Sequence, residues 1–325
     1  MSSPCTPCRR WLRFSALAGF AAWMAISVLV HARIADMGLG WSVQLNVTGI
    51  FLLAPLVLVP LGLALVPGPA DDIGGPFWFW AARLQPPAAA AIVASFWLRP
   101  GPLAAALATP WLLMAALVAL DGFARLWRRR LARPEEICVD AAMVFLPAGA
   151  AWALASRLGL TPIGFQEPLV LLTAVHFHFA GFVAALLAGL TGRARRSWGR
   201  PGGALYLPLA AGVVLGVPLL AVGIATHRTL ELAGALILAF SVGALALYTA
   251  LWVAPRFRPL AAAFLLAFSC ACAICGMHFA GRYAASHWRG NDAISIRRMA
   301  LVHGLLNALG FSLCGVAAWT RVDRK

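Results

Sequence analysis

The sequence predicts an all-helical, polytopic membrane protein with about ten transmembrane helices and both termini in the cytoplasm. Of its 325 residues, 62% are apolar and only 11% are charged, which is about half the charge of a soluble domain. Apolar runs of about 20 residues, long enough to cross a bilayer, recur along the whole chain. Arginines cluster in alternate breaks between these runs, as expected when basic loops stay on the cytoplasmic side.

Ten apolar runs justify the ten predicted helices. The third run is the weakest because Arg83 and the Pro86-Pro87 pair interrupt it. We predict one transmembrane domain at residues 14–319, between cytoplasmic tails at residues 1–13 and 320–325. The runs cover residues 14–33, 43–66, 77–98, 103–126, 138–156, 167–190, 203–226, 231–253, 260–283 and 296–319.

The distribution of basic residues supports this count. With the N-terminus inside, 17 of the 26 basic residues lie in inner loops and 8 in outer loops, and Arg83 lies within a run. A signal peptide is the alternative interpretation of the first run. That run ends without a cleavage site of the small-x-small type. We therefore predict a retained helix in the inner membrane of a bacterium.

Basic residues and cysteines exclude several kinds of function. The net charge of +15 comes from short arginine clusters without interleaved aromatic residues, so we expect no nucleic-acid partner. Cys5 and Cys8 form a C-x-x-C that is not followed by His, which excludes covalent c-type haem attachment. A metal or redox role for that pair stays open. Cys270, Cys272 and Cys275 are expected to pack as small apolar residues.

Histidines inside the runs define a candidate site. His176 and His178 lie in the sixth run, His278 in the ninth and His303 in the tenth, at similar depths below the predicted outer surface. Polar side chains within a membrane span are costly unless they face a cavity, the bundle interior or one another. The pattern therefore predicts a shared site near the outer face. For any single residue, a hydrogen bond between helices is the simpler explanation.

Helical spacing extends this site. Glu167 and His178 are eleven residues apart, close to three helical turns, so one face of a helix would carry both. His303 and Asn307 are one turn apart. The two histidines of the sixth run lie about 200° apart on a regular helix and can both face inward only if the backbone loosens near Gly181. The predicted catalytic residues are Glu167, His176, His178, His278, His303 and Asn307.

Four arginines form a basic rim in the predicted outer loop between the ninth and tenth runs. Guanidinium groups bind phosphate or carboxylate with two hydrogen bonds, so the rim is suited to an anionic head group. A solvated loop, or contact with lipid head groups, is the alternative. The predicted substrate-binding residues are Arg282, Arg289, Arg297, Arg298, Asn291 and Asp292.

Two stretches resemble motifs of the YndJ-like family of bacterial membrane proteins. They are H-F-H-F-A-G-F at residues 176–182 and H-G-L-L-N-A-L-G-F at residues 303–311. The resemblance implies that the sixth and tenth helices are paired, and it implies no particular reaction. In addition, His178-Phe179-Ala180-Gly181 recurs as His278-Phe279-Ala280-Gly281, and inverted repeats of this kind build transporter sites near the membrane midplane.

Three functions stay open, and the sequence favours the first. The first is a membrane enzyme that acts on a lipophilic substrate with an anionic head group. Its histidines would be acids and bases, or ligands of zinc, iron or copper. Glu167 would carry protons, and Asn307 would orient the substrate. A small-solute or proton-coupled transporter would use the same residues, although few acidic residues lie within the runs. A bis-histidine haem protein would use His178 and His303. The predicted metal ligands are His178, His278 and His303. The expected partners are the lipid bilayer and a lipophilic small molecule, and the oligomeric state stays open.

Overall fold

A computed structural model describes residues 5–36, 43–67, 75–130, 133–200, 203–291 and 293–322, and these contain helices and turns but no strand. Each of the ten predicted runs forms a helix. The helices are α1 (Cys5–Asp36), α2 (43–65), α3 (Pro76–Ser95), α4 (Pro102–Arg129), α5 (Pro134–Leu158), α6 (Leu169–Ser197), α7 (Tyr206–Thr226), α8 (Arg228–Trp252), α9 (Leu260–Trp288) and α10 (Ile296–Arg321).

The predicted fold class is confirmed. Within the described residues, nine of these helices are long and apolar enough to cross a membrane. The tenth is α3, the weakest predicted run, which carries Pro86 and Pro87 in its interior. Helix α1 starts at Cys5, inside the stretch predicted as a tail. The sides of the membrane on which the termini lie stay a prediction, as do the domain limits.

The chain forms two compact units. Unit 1 consists of residues 1–124 and 143–178, and unit 2 of residues 125–142 and 179–325. Unit 1 therefore contains α1 to α3, most of α4, the C-terminal part of α5 and the start of α6. Unit 2 contains the rest of these three helices and all of α7 to α10.

Unit 1 contains a π-helical turn at Ala54–Leu58 in α2. In such a turn the carbonyl of Pro55 would accept a hydrogen bond from residue 60, which is a proline and has no N–H. The amide of Gln85 takes that place and donates to Pro55 O at 2.8 Å. A buried side chain of α3 thus donates to this carbonyl the hydrogen bond that Pro60 cannot donate.

Unit 2 is built on closely packed helices. A Cβ atom at Gly216 of α7 would lie 3.0 Å from the Cβ of Leu238 on α8. A Cβ at Gly234 of α8 would lie 2.6 Å from the backbone nitrogen of Leu220. Small residues allow membrane helices to approach in this way, so these glycines set the spacing of the α7–α8 pair.

The longest departures from regular helix coincide with the two motif stretches. Helix α6 is π-helical at Phe177–Ala184, and α10 at Met299–His303 and Leu306–Leu313. The π-helical stretch of α6 includes Gly181, where the backbone would have to loosen for His176 and His178 both to face inward. Such π-helical turns are rare and are often found at functional sites, which makes both stretches the places to look for chemistry.

Candidate functional site

His178 in unit 1 is completely buried and hydrogen-bonded through both ring nitrogens. Its Nδ1 lies 2.8 Å from Ala174 O, and its Nε2 lies 3.1 Å from the indole Nε1 of Trp111. The carbonyl only accepts and the indole only donates, so Nδ1 carries the proton and the imidazole is neutral. The ring stacks on Trp111 and meets Phe51 edge to face. We call these residues the His178 cluster.

A glycine of α5 makes room for this ring. A Cβ atom at Gly149 would lie 2.5 Å from His178 Nδ1 and 3.1 Å from the Cβ of Phe177, well inside van der Waals contact. His176 is only partly buried and meets Phe177 edge to face. The two histidines of the first motif therefore have different surroundings.

The bonding of His178 limits its chemistry. Its only ring lone pair accepts from Trp111, so a metal ion or haem iron at this nitrogen would first have to displace the indole. The same bond occupies the nitrogen that a general base would need. This arrangement favours a positioning role for His178.

Glu167 precedes α6, which begins at Leu169. Its carboxylate accepts from Ser156 Oγ at 2.5 Å and from Leu171 N at 3.4 Å. The helical-spacing argument that placed Glu167 on one face with His178 therefore does not apply, because Glu167 lies outside the helix. Its exposed side chain connects the start of α6 to α5 within unit 1.

His303 in unit 2 has one ring nitrogen open. Its Nδ1 donates to Gly276 O of α9 at 2.9 Å, so Nε2 is the acceptor nitrogen of the neutral ring. No hydrogen bond from the described part of the chain reaches this Nε2. Asn307 Nδ2 donates to His303 O at 2.8 Å, as expected for neighbours one turn apart. We call His303, Asn307 and Gly276 the His303 cluster.

Close contact between α9 and α10 holds this cluster in place. A Cβ atom at Gly276 would lie 2.5 Å from Asn307 Nδ2, so a larger residue there would push the amide away. Farther along the same contact, Ser269 Oγ donates to Phe311 O at 2.7 Å. Side chains of α9 and α10 thus satisfy carbonyl groups within the π-helical part of α10.

The predicted basic rim lies at the end of unit 2 where α9 leads into α10. The side chains of Arg282, Arg289, Arg297 and Arg298 are all exposed. Asn291 is part of the turn itself, since its Oδ1 accepts from Ala293 N at 3.1 Å. Asp292 lies outside the described residues.

The predicted site residues are thus divided between the two units. Glu167, His176 and His178 belong to unit 1, whereas His278, His303 and Asn307 belong to unit 2. A hydrogen bond joins His303 and Asn307, and His278 is exposed. Within either unit, no three His, Cys, Asp or Glu side chains of the described residues are placed to hold a metal ion. The metal set stays a prediction.

Sequence reasoning missed a buried ionic network in unit 2. Asp140 accepts from Arg125 Nε at 2.5 Å and from Arg129 at 3.1 Å. Glu136 accepts from Arg129 at 2.8 Å and binds Arg193 through two hydrogen bonds of 2.7 and 2.6 Å. One signal was available, because Arg125 with Arg129 and Glu136 with Asp140 are both one-turn pairs on consecutive helices.

The partners of the two clusters gave no comparable signal. Trp111, Gly149 and Gly276 are ordinary residues of apolar runs in the sequence. Their roles follow from contacts between helices that are far apart in the chain. The spacing of residues within one helix does not predict such contacts.

Comparison with known proteins assigns the chain to a family. The YndJ-like protein family matches residues 49–311, from α2 to α10 and including both motifs. The chain belongs to the YndJ-like family. It is 29% identical over 215 residues to a Bacillus subtilis (strain 168) relative named "Uncharacterized membrane protein YndJ". The aligned residues make up 66% of this chain and 38% of that relative. No solved structure matches.

The family match confirms the resemblance seen in the two motifs. Together with the apolar helices it makes this YndJ-like chain an integral, polytopic membrane protein. The chain aligns with less than half of the length of its Bacillus relative.

Proposed function

We propose that this YndJ-like chain is a membrane enzyme that acts on a lipophilic substrate with an anionic head group, with His303 as its acid-base group. One observation carries the proposal. The ring of His303 is fixed through Nδ1 on Gly276 O, and Nε2 makes no hydrogen bond with the described residues. A fixed neutral imidazole with an open nitrogen can accept a proton from a bound molecule and return it later.

The basic rim supports the class of substrate. Four exposed guanidinium groups stand where α9 leads into α10, the same end of unit 2 that carries His303. Guanidinium groups pair with phosphate or carboxylate through two hydrogen bonds. An amphiphile in the bilayer would place its head group at the rim. The bonds next to the head group would then lie near the His303 cluster.

The other predicted residues take supporting roles in this proposal. Asn307 steadies the backbone at His303, and the exposed His278 on α9 adds a second imidazole in unit 2. His178 positions α6 in unit 1 through Trp111. The inner membrane of a bacterium is the proposed location.

The test uses two lipids that differ in head-group charge. Purified protein is placed in vesicles of phosphatidylglycerol or of phosphatidylcholine, and the lipids are followed by mass spectrometry. We expect conversion of phosphatidylglycerol by the parent and loss of conversion in His303→Asn. The matched control is His227→Asn, because His227 is an exposed cap of α8 outside the cluster. Equal conversion by parent and His303→Asn, or no conversion of phosphatidylglycerol by the parent, would overturn the proposal.

A second candidate function is a proton-coupled transporter, and the π-helical turns favour it. Three of the ten helices, α2, α6 and α10, contain π-helical turns in mid-span, and such turns are frequent at functional sites. A sudden pH change across protein-containing vesicles tests this candidate. A transporter gives a charge movement that His303→Asn abolishes, whereas an enzyme gives the same trace with and without the substitution.

A further inference from the structure

Two arginines of unit 2, at the ends of α6 and α8, form no ion pair with the described residues. Arg195 lies in the last turn of α6, and Arg256 is the last residue of the span that contains α8. The neighbouring Arg193 and Arg196 each pair with a glutamate of α5. Arg195 lies about 200° around the helix from Arg193 and about 100° from Arg196. Its guanidinium group contacts α8 instead of the acidic residues of α5.

Aromatic rings hold both guanidinium groups. Cζ of Arg195 lies 5.2 Å from the ring centroid of Tyr248 on α8, and Cζ of Arg256 lies 5.4 Å from that of Trp198. The rings of Tyr248 and Trp252 are 4.8 Å apart, and Arg256 Nη1 donates to Trp252 O at 2.5 Å. Trp198 follows Arg195 by three residues. These contacts run from the end of α6 to the end of α8 and back, so both guanidinium groups belong to one cluster, which we call the arginine pair.

Both members of the arginine pair keep donors for a ligand. A guanidinium group has five N–H donors and no acceptor. Arg256 donates to one carbonyl within the described residues, and its side chain is exposed. Arg195 Nε is buried and makes no hydrogen bond with the described part of the chain. A buried cationic donor is costly without a partner, and a phosphate group can accept two hydrogen bonds from one guanidinium group.

The surroundings of the arginine pair fit the head-group level of a bilayer. Trp198 is 36% exposed and Trp252 is 39% exposed, and tryptophan is enriched where membrane spans meet water. The distribution of arginines predicts that this end of unit 2 faces the cytoplasm. The cytoplasmic leaflet carries anionic lipids, and basic pockets between helices on that side bind their head groups.

We infer that Arg195 and Arg256 together bind the phosphate of an anionic phospholipid in the cytoplasmic leaflet. The aromatic rings hold the two guanidinium groups in position, and the phosphate oxygens accept from them. This inference is independent of the proposed function, because it uses no residue of the His303 cluster or of the basic rim. Helix α9 begins near the arginine pair at Leu260 and ends near the rim at Trp288, so the two sites lie at opposite ends of this helix.

Native mass spectrometry of the purified full chain tests this site. The protein is titrated in detergent with phosphatidylglycerol or with zwitterionic phosphatidylcholine, and the bound lipids are counted by mass. We expect the parent to retain phosphatidylglycerol in preference to phosphatidylcholine. Arg195→Gln and Arg256→Gln should each weaken the binding of phosphatidylglycerol about tenfold, because each substitution removes charge-assisted hydrogen bonds. Arg195→Lys should also weaken it, since an ammonium group keeps the charge but cannot donate two parallel hydrogen bonds.

The matched control is Arg321→Gln at the end of α10. Arg321 is exposed, and its guanidinium group donates to Ala317 O of its own helix, so this substitution removes the same charge outside the arginine pair. Lipid binding should stay at the parental level, as should binding at the basic rim in the Arg195 and Arg256 variants. Circular dichroism checks that each variant keeps its helical content.

Three results would overturn the inference. Equal weakening by Arg321→Gln would show that diffuse positive charge attracts the lipid. Unchanged binding of phosphatidylglycerol in both Arg195→Gln and Arg256→Gln would place the lipid elsewhere, for instance at the rim. Displacement of the lipid from the parent by inorganic phosphate, but not by an equal concentration of chloride, would identify the ligand as a free anion instead of a lipid head group.

Discussion

The buried ionic network of unit 2 allows a sharp test of how charge stabilises this protein. Glu136→Gln is the perturbation, since Glu136 accepts from Arg125, Arg129 and Arg193 and its side chain is only 7% exposed. The substitution keeps the shape of the side chain and removes one negative charge. Asp140 would then be the buried carboxylate left to Arg125 and Arg129, and Arg193 would face a neutral amide in place of the carboxylate of Glu136.

The expected loss is large because the released charges stay buried. Removing one partner of a buried ion pair costs about 3–5 kcal/mol of unfolding free energy. The neighbouring substitution Glu135→Gln is the matched control. Its partner Arg196 is 43% exposed, so water solvates the released charge and the expected cost is about 1 kcal/mol or less.

The assay is unfolding by SDS in mixed micelles, followed by circular dichroism. A difference of about 3 kcal/mol between the two variants corresponds to about a hundredfold change in the unfolding equilibrium. If Glu136→Gln lies within 1 kcal/mol of Glu135→Gln, the network is not stabilising in the way that its burial indicates, and the reasoning fails.

Three further substitutions test the two histidine clusters by the same unfolding assay. Trp111→Phe leaves the buried Nε2 of His178 without its donor and should cost about 1–3 kcal/mol; no loss would mean that the bond does not matter. Gly149→Ala places a methyl group against the same ring. It should lower the unfolding free energy by about 1–3 kcal/mol, as typical overpacking substitutions in a core do. Gly276→Ala should likewise destabilise, whereas Gly281→Ala on the same helix meets only a side chain at 3.8 Å and should be neutral. Equal effects of the last two would refute the close-contact argument.

Hydropathy predicted the helices well because the bilayer sets their minimum length. The ninth run was predicted at residues 260–283, and α9 is Leu260–Trp288. The errors lie at the ends. Helix α6 continues to Ser197, past the predicted end at residue 190, because a helix can extend beyond the apolar core with arginines in its last turns. A search for apolar runs detects the core of a span and not these extensions.

The site was harder to predict than the fold. Spacing within one helix correctly paired His303 with Asn307, since that contact depends on helical geometry alone. The same method failed for Glu167, because the helix starts two residues later at Leu169. The partners Trp111 and Gly276 come from other helices. Contacts of this kind depend on how the helices pack against one another, and the residue pattern of a single sequence does not predict that packing.

The two family motifs place the same side chain in two chemically different states. In both, Nδ1 donates to a backbone carbonyl, so Nε2 is the acceptor nitrogen whenever the ring is neutral. At His178 an indole occupies that acceptor, and the ring is completely buried. At His303 no described residue occupies it, and the basic rim lies at the same end of α10. An imidazole can exchange protons with a bound molecule only through an open nitrogen. This difference is why we propose His303 in the second motif, and not His178 in the first, as the acid-base group.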